Sequence, residues 1–491
     1  MKRIVCHFRA RNKLLAATAA LVSLGAFSIA PSAKASRRPQ VGGTLRVQIS
    51  ERLVTIDPRQ WPSDSMDAGA AERVESLVFD RLVRLDEHGN VQPALAISWQ
   101  HDTQSKTWQF RMRDGVKFSD GSPLTPTIAA LALQQLLGAS FDVSATPDSV
   151  VVLAEHSLPD FQMELATGRY FIFQSANDNS LTGTGPFRVA DGPVPGGSFK
   201  LILTANPSCW AGRPFVDKID LAMGVDFQQQ ANAISFGQAD VVELPASQVR
   251  RAAQRGGLIA TSDPVELFAL VFDLSRTAVQ DARLRQAISL AIDRVSIADV
   301  ILQRKAIVAG SLLPNWISGY AHLFTSPADL PRAKDLLADS AQAHSRSIPL
   351  VLIYDSSDAE ARAVADRVAV NLRELGIMVQ VSGKNGDGKT KPAVADFRLV
   401  RERIATPNAA RALSVILHSM GESSAEMETT DRIYAAERSP IDAYQVIPLV
   451  HVSESFGLSP QVRDWMPPRW GGWRLEDVWL GPPSTAGGNA Q

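Results

Sequence analysis

Only two of the 491 residues are cysteine, Cys6 and Cys209. If the first leaves with a leader, Cys209 stands alone, and an intrachain disulfide is excluded. Ordinary apolar cores must hold the chain. Histidine is also sparse: none of the eight pairs at i+3 or i+4, and no H-E-x-x-H occurs. A zinc site built from local sequence is therefore not expected, although ligands brought together in space stay open. No G-x-S-x-G nucleophile elbow is present. Beyond the first thirty residues no apolar run is long enough to span a bilayer.

A surplus of positive charge is missing too. The formal net charge is −1. Residues 1–35 hold six of the 50 Lys and Arg and none of the 51 Asp and Glu, so their removal leaves 44 cations against 51 acids, a net of −7. That balance argues against a nucleic-acid or anionic-membrane partner.

The N-terminus carries most of the targeting information. Five cations lie between Lys2 and Lys13, an apolar stretch runs from about Leu14 to Ala30, and Ala33-Lys34-Ala35 follows as a small-x-small cleavage pattern. Residues 1–35 are expected to be a cleavable signal peptide. No cysteine follows the cleavage pattern, so a lipid anchor is not expected, and the periplasm is the expected location.

Downstream the pattern alternates between strand and helix. In "GGTLRVQIS" Leu45, Val47 and Ile49 alternate with polar neighbours, and in "TWQFRMRDG" Trp108, Phe110 and Met112 do the same. Asp114-Gly115 is expected to close a hairpin turn. A second Asp-Gly, Asp120-Gly121, precedes Thr125 and Pro126, which read as N-cap and first turn of a helix over "TIAALALQQLL". The sequence predicts a helix over Asp281–Arg294 with Leu284, Ala287, Ile288 and Ala291 on one stripe. It then predicts a βαβ unit: a buried strand over Ile348–Asp355, a helix over Asp358–Leu375 ended by Gly376, and a strand over Ile377–Ser382. The tail "GPPSTAGGNAQ" is expected to be disordered.

"GKNGDGKT" (Gly383–Thr390) satisfies the phosphate-loop pattern at every fixed position. A functional loop of that kind needs a helix opening at its lysine to aim N–H groups at the phosphates. Here Pro392 follows within two residues, and then a β-like run over Ala395–Val400. A turn between strands is the expectation. Asp114 and Asp120 as a glycosidase pair meet the same objection, since each precedes a turn glycine.

Several stretches together resemble the extracytoplasmic solute-binding proteins of peptide- and nickel-type ABC importers. They are "GGTLRV", "IDP" (56–58), "FDRLVRLDEHGNVQPALAISW" (79–99), "TWQFRMRDGVKFSDGSPLT" (107–125), "GTGPFRV" (183–189), "NPSCWAGRPFVDKIDL" (206–221), "AISFGQADVVE" (233–243), "VFDLSRTAVQDARLRQAISLAIDR" (271–294) and "YAAERSPIDAYQVIPLVH" (434–451). They occur in the family's order and cover most of the chain after the leader. The resemblance implies an α/β, two-lobed periplasmic-binding-protein fold of type II, large peptide-binding subclass, with mixed sheets and a cleft between lobes. Lobe I is expected over 36–266, with a trimmed subdomain at about 78–175, and again over 452–491. Lobe II is expected over 267–451. The implied function is capture of a peptide or other small polar solute and its delivery to an ABC permease with a separate ATPase. The receptor is expected to be a monomer without cofactor, metal or catalytic residues. A periplasmic hydrolase, or a transport-independent sensor or chaperone, is the alternative on the same fold.

The chain departs from the family pattern at three points. The segment after the helix at 127–137 is short, Asp273 stands where Asn is common, and the lobe II stretch that grips the amino group in peptide-binding members reads "LVRERIATPNAA". Strand alternation places Arg401 and Arg403 on one face and Glu402 on the other. Two cations in a cleft favour an anionic ligand group, unless the pair is a solvated edge or is matched by internal acids. Position in the family adds Asp355 and Ser356, after the strand ending at Asp355, and Trp61 and Trp316 as cleft-side candidates.

Overall fold

The structure is a computed structural model that describes residues 39–62, 65–175, 180–192, 199–255, 257–338, 349–384, 395–404, 406–422, 427 and 429–482. The leader expected over 1–35, the tail from residue 483 and most of "GKNGDGKT" lie outside the described residues. Chain contacts separate Met1–Pro39 from Gln40–Gln491, and every element below belongs to the second unit.

One eleven-stranded sheet runs through that unit. Its order is Phe187–Asp191, Lys200–Ala205, Lys218–Ala222, Thr44–Gln48, Val241–Glu243, Val446–Leu458, Leu258–Phe272, Phe397–Arg403, Leu350–Asp355 and Val379–Lys384. The short strand Ala306–Val308 adds to Val446–Leu458. Parallel pairing is confined to two places. Thr44–Gln48 is parallel to both neighbours, and Leu350–Asp355 is parallel to both of its own. Leu45, Val47 and Ile49 are fully buried, as their alternation requires.

The two parallel groups are joined by two long antiparallel strands, Leu258–Phe272 and Val446–Leu458. Their register shifts at Thr261/Pro264 and at Pro264/Glu266. Proline cannot donate to the ladder, so Pro264 fixes an irregularity midway along the crossing. Beyond it, Phe268, Leu270 and Phe272 face one apolar core while Leu267, Ala269 and Val271 face another. This two-sided burial explains the unbroken run "LFALVF".

Core membership follows the same division. One cluster gathers buried residues between 45 and 260 and again between 456 and 478, including Trp108, Phe110, Phe456 and Trp473. The other large clusters draw on 246–452 and 267–446. Separate cores on one continuous sheet make this a mixed α/β fold of two lobes, with the first cluster in lobe I and the other two large clusters in lobe II.

Most local expectations match the elements. Thr125 Oγ1 accepts from Ile128 N and Pro126 opens the helix Pro126–Leu137. The βαβ unit comprises Leu350–Asp355, the helix Ala359–Glu374 and Val379–Lys384, with Gly376 at φ +87°. The Asp281 helix spans Ala282–Ala291 and ends early, because Ile292 is extended. The buried Arg294 beyond it is held by the carbonyls of Ser289 and Pro448.

One turn needs correction. Gly115 has the expected positive φ of 75°, but the strand before it, Thr107–Met112, pairs with Ala96–His101 and Ser149–Ala154 and not with the segment after Gly115. The tight reversal forms at the second Asp-Gly. There Phe118 N donates to Ser122 O at 2.8 Å, Asp120 Oδ1 accepts from Ser122, and Gly121 sits at φ +92°. Past Lys384, the next described element is the strand Phe397–Arg403, not a helix.

Candidate ligand-binding junction

In an α/β sheet the carboxyl ends of parallel strands leave a crevice, because the connections run over the faces to their helices. Here both parallel groups present such ends. In lobe II, Leu350–Asp355, Val379–Lys384 and Phe397–Arg403 run the same way and deliver Asp355, Ser356, Arg401 and Arg403 to one edge. In lobe I, Thr44–Gln48 and Val241–Glu243 deliver Ser50 and Glu243. A charged network joins the two edges.

Arg401 is its lobe II anchor. Nε and Nη2 donate to Glu266 Oε2 at 2.8 and 2.6 Å, and Nη1 donates to Asp358 Oδ2 at 2.9 Å. Glu360 Oε2 lies 3.2 Å from the same Nη1. Arg403, with a side chain 3% exposed, pairs with Glu454 on the second crossing strand. Glu454 also takes Arg73, from the lobe I helix Ser65–Glu75, and Arg73 Nη1 lies 3.2 Å from Glu243 Oε1. Three guanidinium groups thus face five carboxylates.

Burial and charge pull these groups in opposite directions. Burial would depress Arg73 and Arg401, but the surrounding carboxylates, Glu454 first for Arg73 and Glu266 first for Arg401, outweigh it and raise both. Burial would raise Glu454, yet Arg403, Arg73 and Arg401 hold it below its ordinary value. For three other carboxylates burial prevails over the neighbouring guanidinium. Glu243, with Glu51 beside it, is pushed up to about 8, and Glu266 and Glu360 are also raised.

The partners of Arg401 and Arg403 are internal. Both arginines share one face, as alternation requires, while Glu402 turns to the opposite side, where its Oε1 accepts from Ser419 Oγ at 2.7 Å. Both arginines are paired with the chain's own acids, Arg401 with Glu266 and Asp358 and Arg403 with Glu454. Asp355 and Ser356 are exposed at the strand end. Asp355 Oδ1 accepts from Ser357 N and Oγ at 2.9 and 2.7 Å, and Ser356 N donates to Lys384 O at 3.0 Å. Asp273 likewise serves a turn, accepting from Ser275 N and Oγ.

Trp316 is half-buried beside the crossing. Its Nε1 donates to Pro264 O at 2.8 Å, and its ring meets Trp470 at a centroid distance of 5.8 Å. Arg469 lies over both indoles and pairs with Asp263. Trp61 instead packs on the lobe I core, 6.4 Å from Phe171. Two further polar contacts flank the junction. Arg411 Nη1 is 2.9 Å from Glu164 Oε1, which also accepts from Tyr170 Oη at 2.6 Å. Ala246 N, opening the helix Ala246–Gln254, donates to Glu360 Oε1 at 2.6 Å.

Sequence reasoning missed Arg73, Glu243, Glu266 and Glu454. A signal existed for the three acids: each interrupts an apolar strand, in "DVVEL", "VELFALV" and "VHVSESF". A carboxylate at such a position must find a buried partner. Nothing local said which one. Among the described residues no group of three or more His, Cys, Asp or Glu is disposed to hold a metal ion, and no helix is long and apolar enough to cross a membrane.

Residues 90–397 match the model of the bacterial extracellular solute-binding proteins, family 5 middle region. The nickel-binding periplasmic protein of Escherichia coli is 25% identical over 351 residues, which is 63% of this chain and 66% of that protein. NikA from Brucella suis, solved with Fe(III)-EDTA, superposes with a TM-score of 0.75 at 18% identity, over 89% of this chain and all of that one. AppA from Bacillus subtilis, solved with a nonapeptide, gives 0.74 at 16% identity, over 91% of this chain and all of that one. At these identities the two structures establish the fold.

Proposed function

Because the chain belongs to the bacterial extracellular solute-binding proteins of family 5, we propose that it is a periplasmic receptor that captures a small polar solute or peptide between its lobes. It hands that solute to an ABC permease driven by a separate ATPase, and it catalyses no reaction on it. The observation that carries the reading is the crossing. Two antiparallel strands with an irregular register at Pro264 join two separate cores, and the carboxyl ends of both parallel groups open onto that crossing. Such a connection bends more readily than either core deforms, so a ligand that touches both lobes favours the closed arrangement.

On this reading Asp355, Ser356 and Trp316 offer polar and aromatic groups toward the solute. Arg401 and Arg403 organise the junction rather than grip the ligand directly, and Trp61 supports the lobe I wall. The signal peptide expected over 1–35 directs the chain to the periplasm, where it acts as a monomer.

Native mass spectrometry of protein purified from its own periplasm tests the proposal. A stoichiometric adduct released by denaturation is expected, and its mass narrows the solute class. Repeated preparations without an adduct, together with no thermal shift against peptide and metal-chelate panels, would count against a receptor. Conversion of the retained solute into a product would favour the hydrolase alternative.

A further inference from the structure

Gly69 is buried in the interior of the lobe I helix Ser65–Glu75, where glycine is a poor helix former. Its backbone is not in the left-handed region, so conformation does not demand glycine there. Space does. A Cβ built at Gly69 would stand 2.8 Å from Nε of Arg403, and closer still to Cδ of the same side chain. These Arg403 atoms are not the free end of a mobile side chain. Arg403 is 3% exposed in its side chain and tied through Glu454 to Arg73. Arg73 lies on the same helix as Gly69, one turn further on. One helix of lobe I therefore supplies both a notch for the stem of a lobe II arginine and the cation that shares that arginine's carboxylate.

We infer that Gly69 and Arg403 form a keyed contact between the lobes that sets how far they close, with Glu454 and Arg73 locking the key in its notch. The inference rests on the receptor reading, since it gives closure a role in capture. The contact acts by shape at Gly69 and by charge at Glu454. Any side chain at 69 wedges the lobes apart, and any loss of the guanidinium at 403 removes the lock. Neither residue needs to touch the solute.

The test is an interlobe distance measured on the full chain. Spin labels go on Gln100→Cys in lobe I and Arg373→Cys in lobe II, both exposed positions, in a Cys209→Ser background. Gly69→Ala should shift the distance distribution to longer values while the helical circular dichroism is retained, because alanine is the better helix former. Arg403→Ala should also lengthen it. The double variant should move no further than Arg403→Ala alone, because the wedge has nothing left to strike. A distribution unchanged in Gly69→Ala, or a double variant that shifts by the sum of the singles, overturns the contact. If Gly69→Ala does not fold, Arg403→Ala alone must still lengthen the distance, and its failure to do so is equally fatal. These distances need no ligand. A failed key therefore appears here, whereas a failed receptor appears as absence of retained solute in mass spectrometry.

Discussion

Arg401 donates twice to a single oxygen of Glu266, at 2.8 and 2.6 Å, and the two residues lie on adjacent antiparallel strands. The pair sits where the crossing enters lobe II. It makes Arg401 part of the molecule's own scaffold. Removing one partner of such a buried pair leaves the other uncompensated, at a cost of about 3–5 kcal/mol.

Arg401→Ala is accordingly expected to lower the free energy of urea unfolding by an amount in that range, because Glu266, Asp358 and Glu360 all lose their shared cation. Coupling Arg401→Met to Glu266→Gln should recover part of the loss, since the amide introduced by the second substitution carries no charge into the low-dielectric site. A double variant less stable than Arg401→Ala would contradict this account.

Asp358 has two tasks that can be separated. It caps the helix Ala359–Glu374 by accepting from Glu360 N and Ala361 N, and it pairs with Arg401. Asp358→Asn keeps an N-cap acceptor and loses the charge, whereas Asp358→Ala loses both. The alanine variant should be less stable than the asparagine variant by about 1 kcal/mol in thermal or urea unfolding. Equal stabilities would mean that the cap contributes nothing there.

The bond between Arg411 and Glu164 is of a different kind. Its side chains are 39% and 25% exposed, so water and salt screen it. Arg411→Ala should cost no more than about 1 kcal/mol, and the difference from the parent should shrink as salt is raised. A salt-independent loss of several kcal/mol would move this contact into the same class as the buried network.

The Leu312–Leu313 peptide segment is held by two titrating groups with opposite signs. His451 Nε2 donates to Leu312 O at 3.1 Å, while Glu437 Oε1 accepts from Leu312 N and Leu313 N at 2.6 and 2.8 Å. Burial pulls His451 down to about 4 and pushes Glu437 up to about 7. As pH falls from about 6.5, the unfolded histidine takes a proton that the folded one refuses until about 4, so stability is lost across that window. As pH rises from about 4.5 to about 7, the unfolded carboxyl ionises before the folded one, and stability is lost in the other direction. Each effect is about 3 kcal/mol at full extent. Chemical denaturation across pH should therefore show His451→Gln abolishing the acid-side decline and Glu437→Gln abolishing the opposing one. Parallel curves for parent and variants would rule the assignment out.

Much of this protein was settled by its sequence. Period-two alternation placed Leu45, Val47 and Ile49 inward, the Thr125-Pro126 pair opened a helix, and Gly376 closed another, because each depends on a residue's own backbone and its immediate neighbours. The order of the motifs named the family for the same reason: turn and cap chemistry is written locally. Tertiary structure alone decided the partners of the arginine strand. Alternation fixed which way Arg401 and Arg403 point, but their partners Glu266 and Glu454 stand 135 and 51 residues away in the chain. Gly69 carried no local mark at all, since its notch exists only when a lobe II side chain arrives. Burial makes an unpaired charge costly, and whether a charge is paired depends on which distant segments the fold brings within about 4 Å.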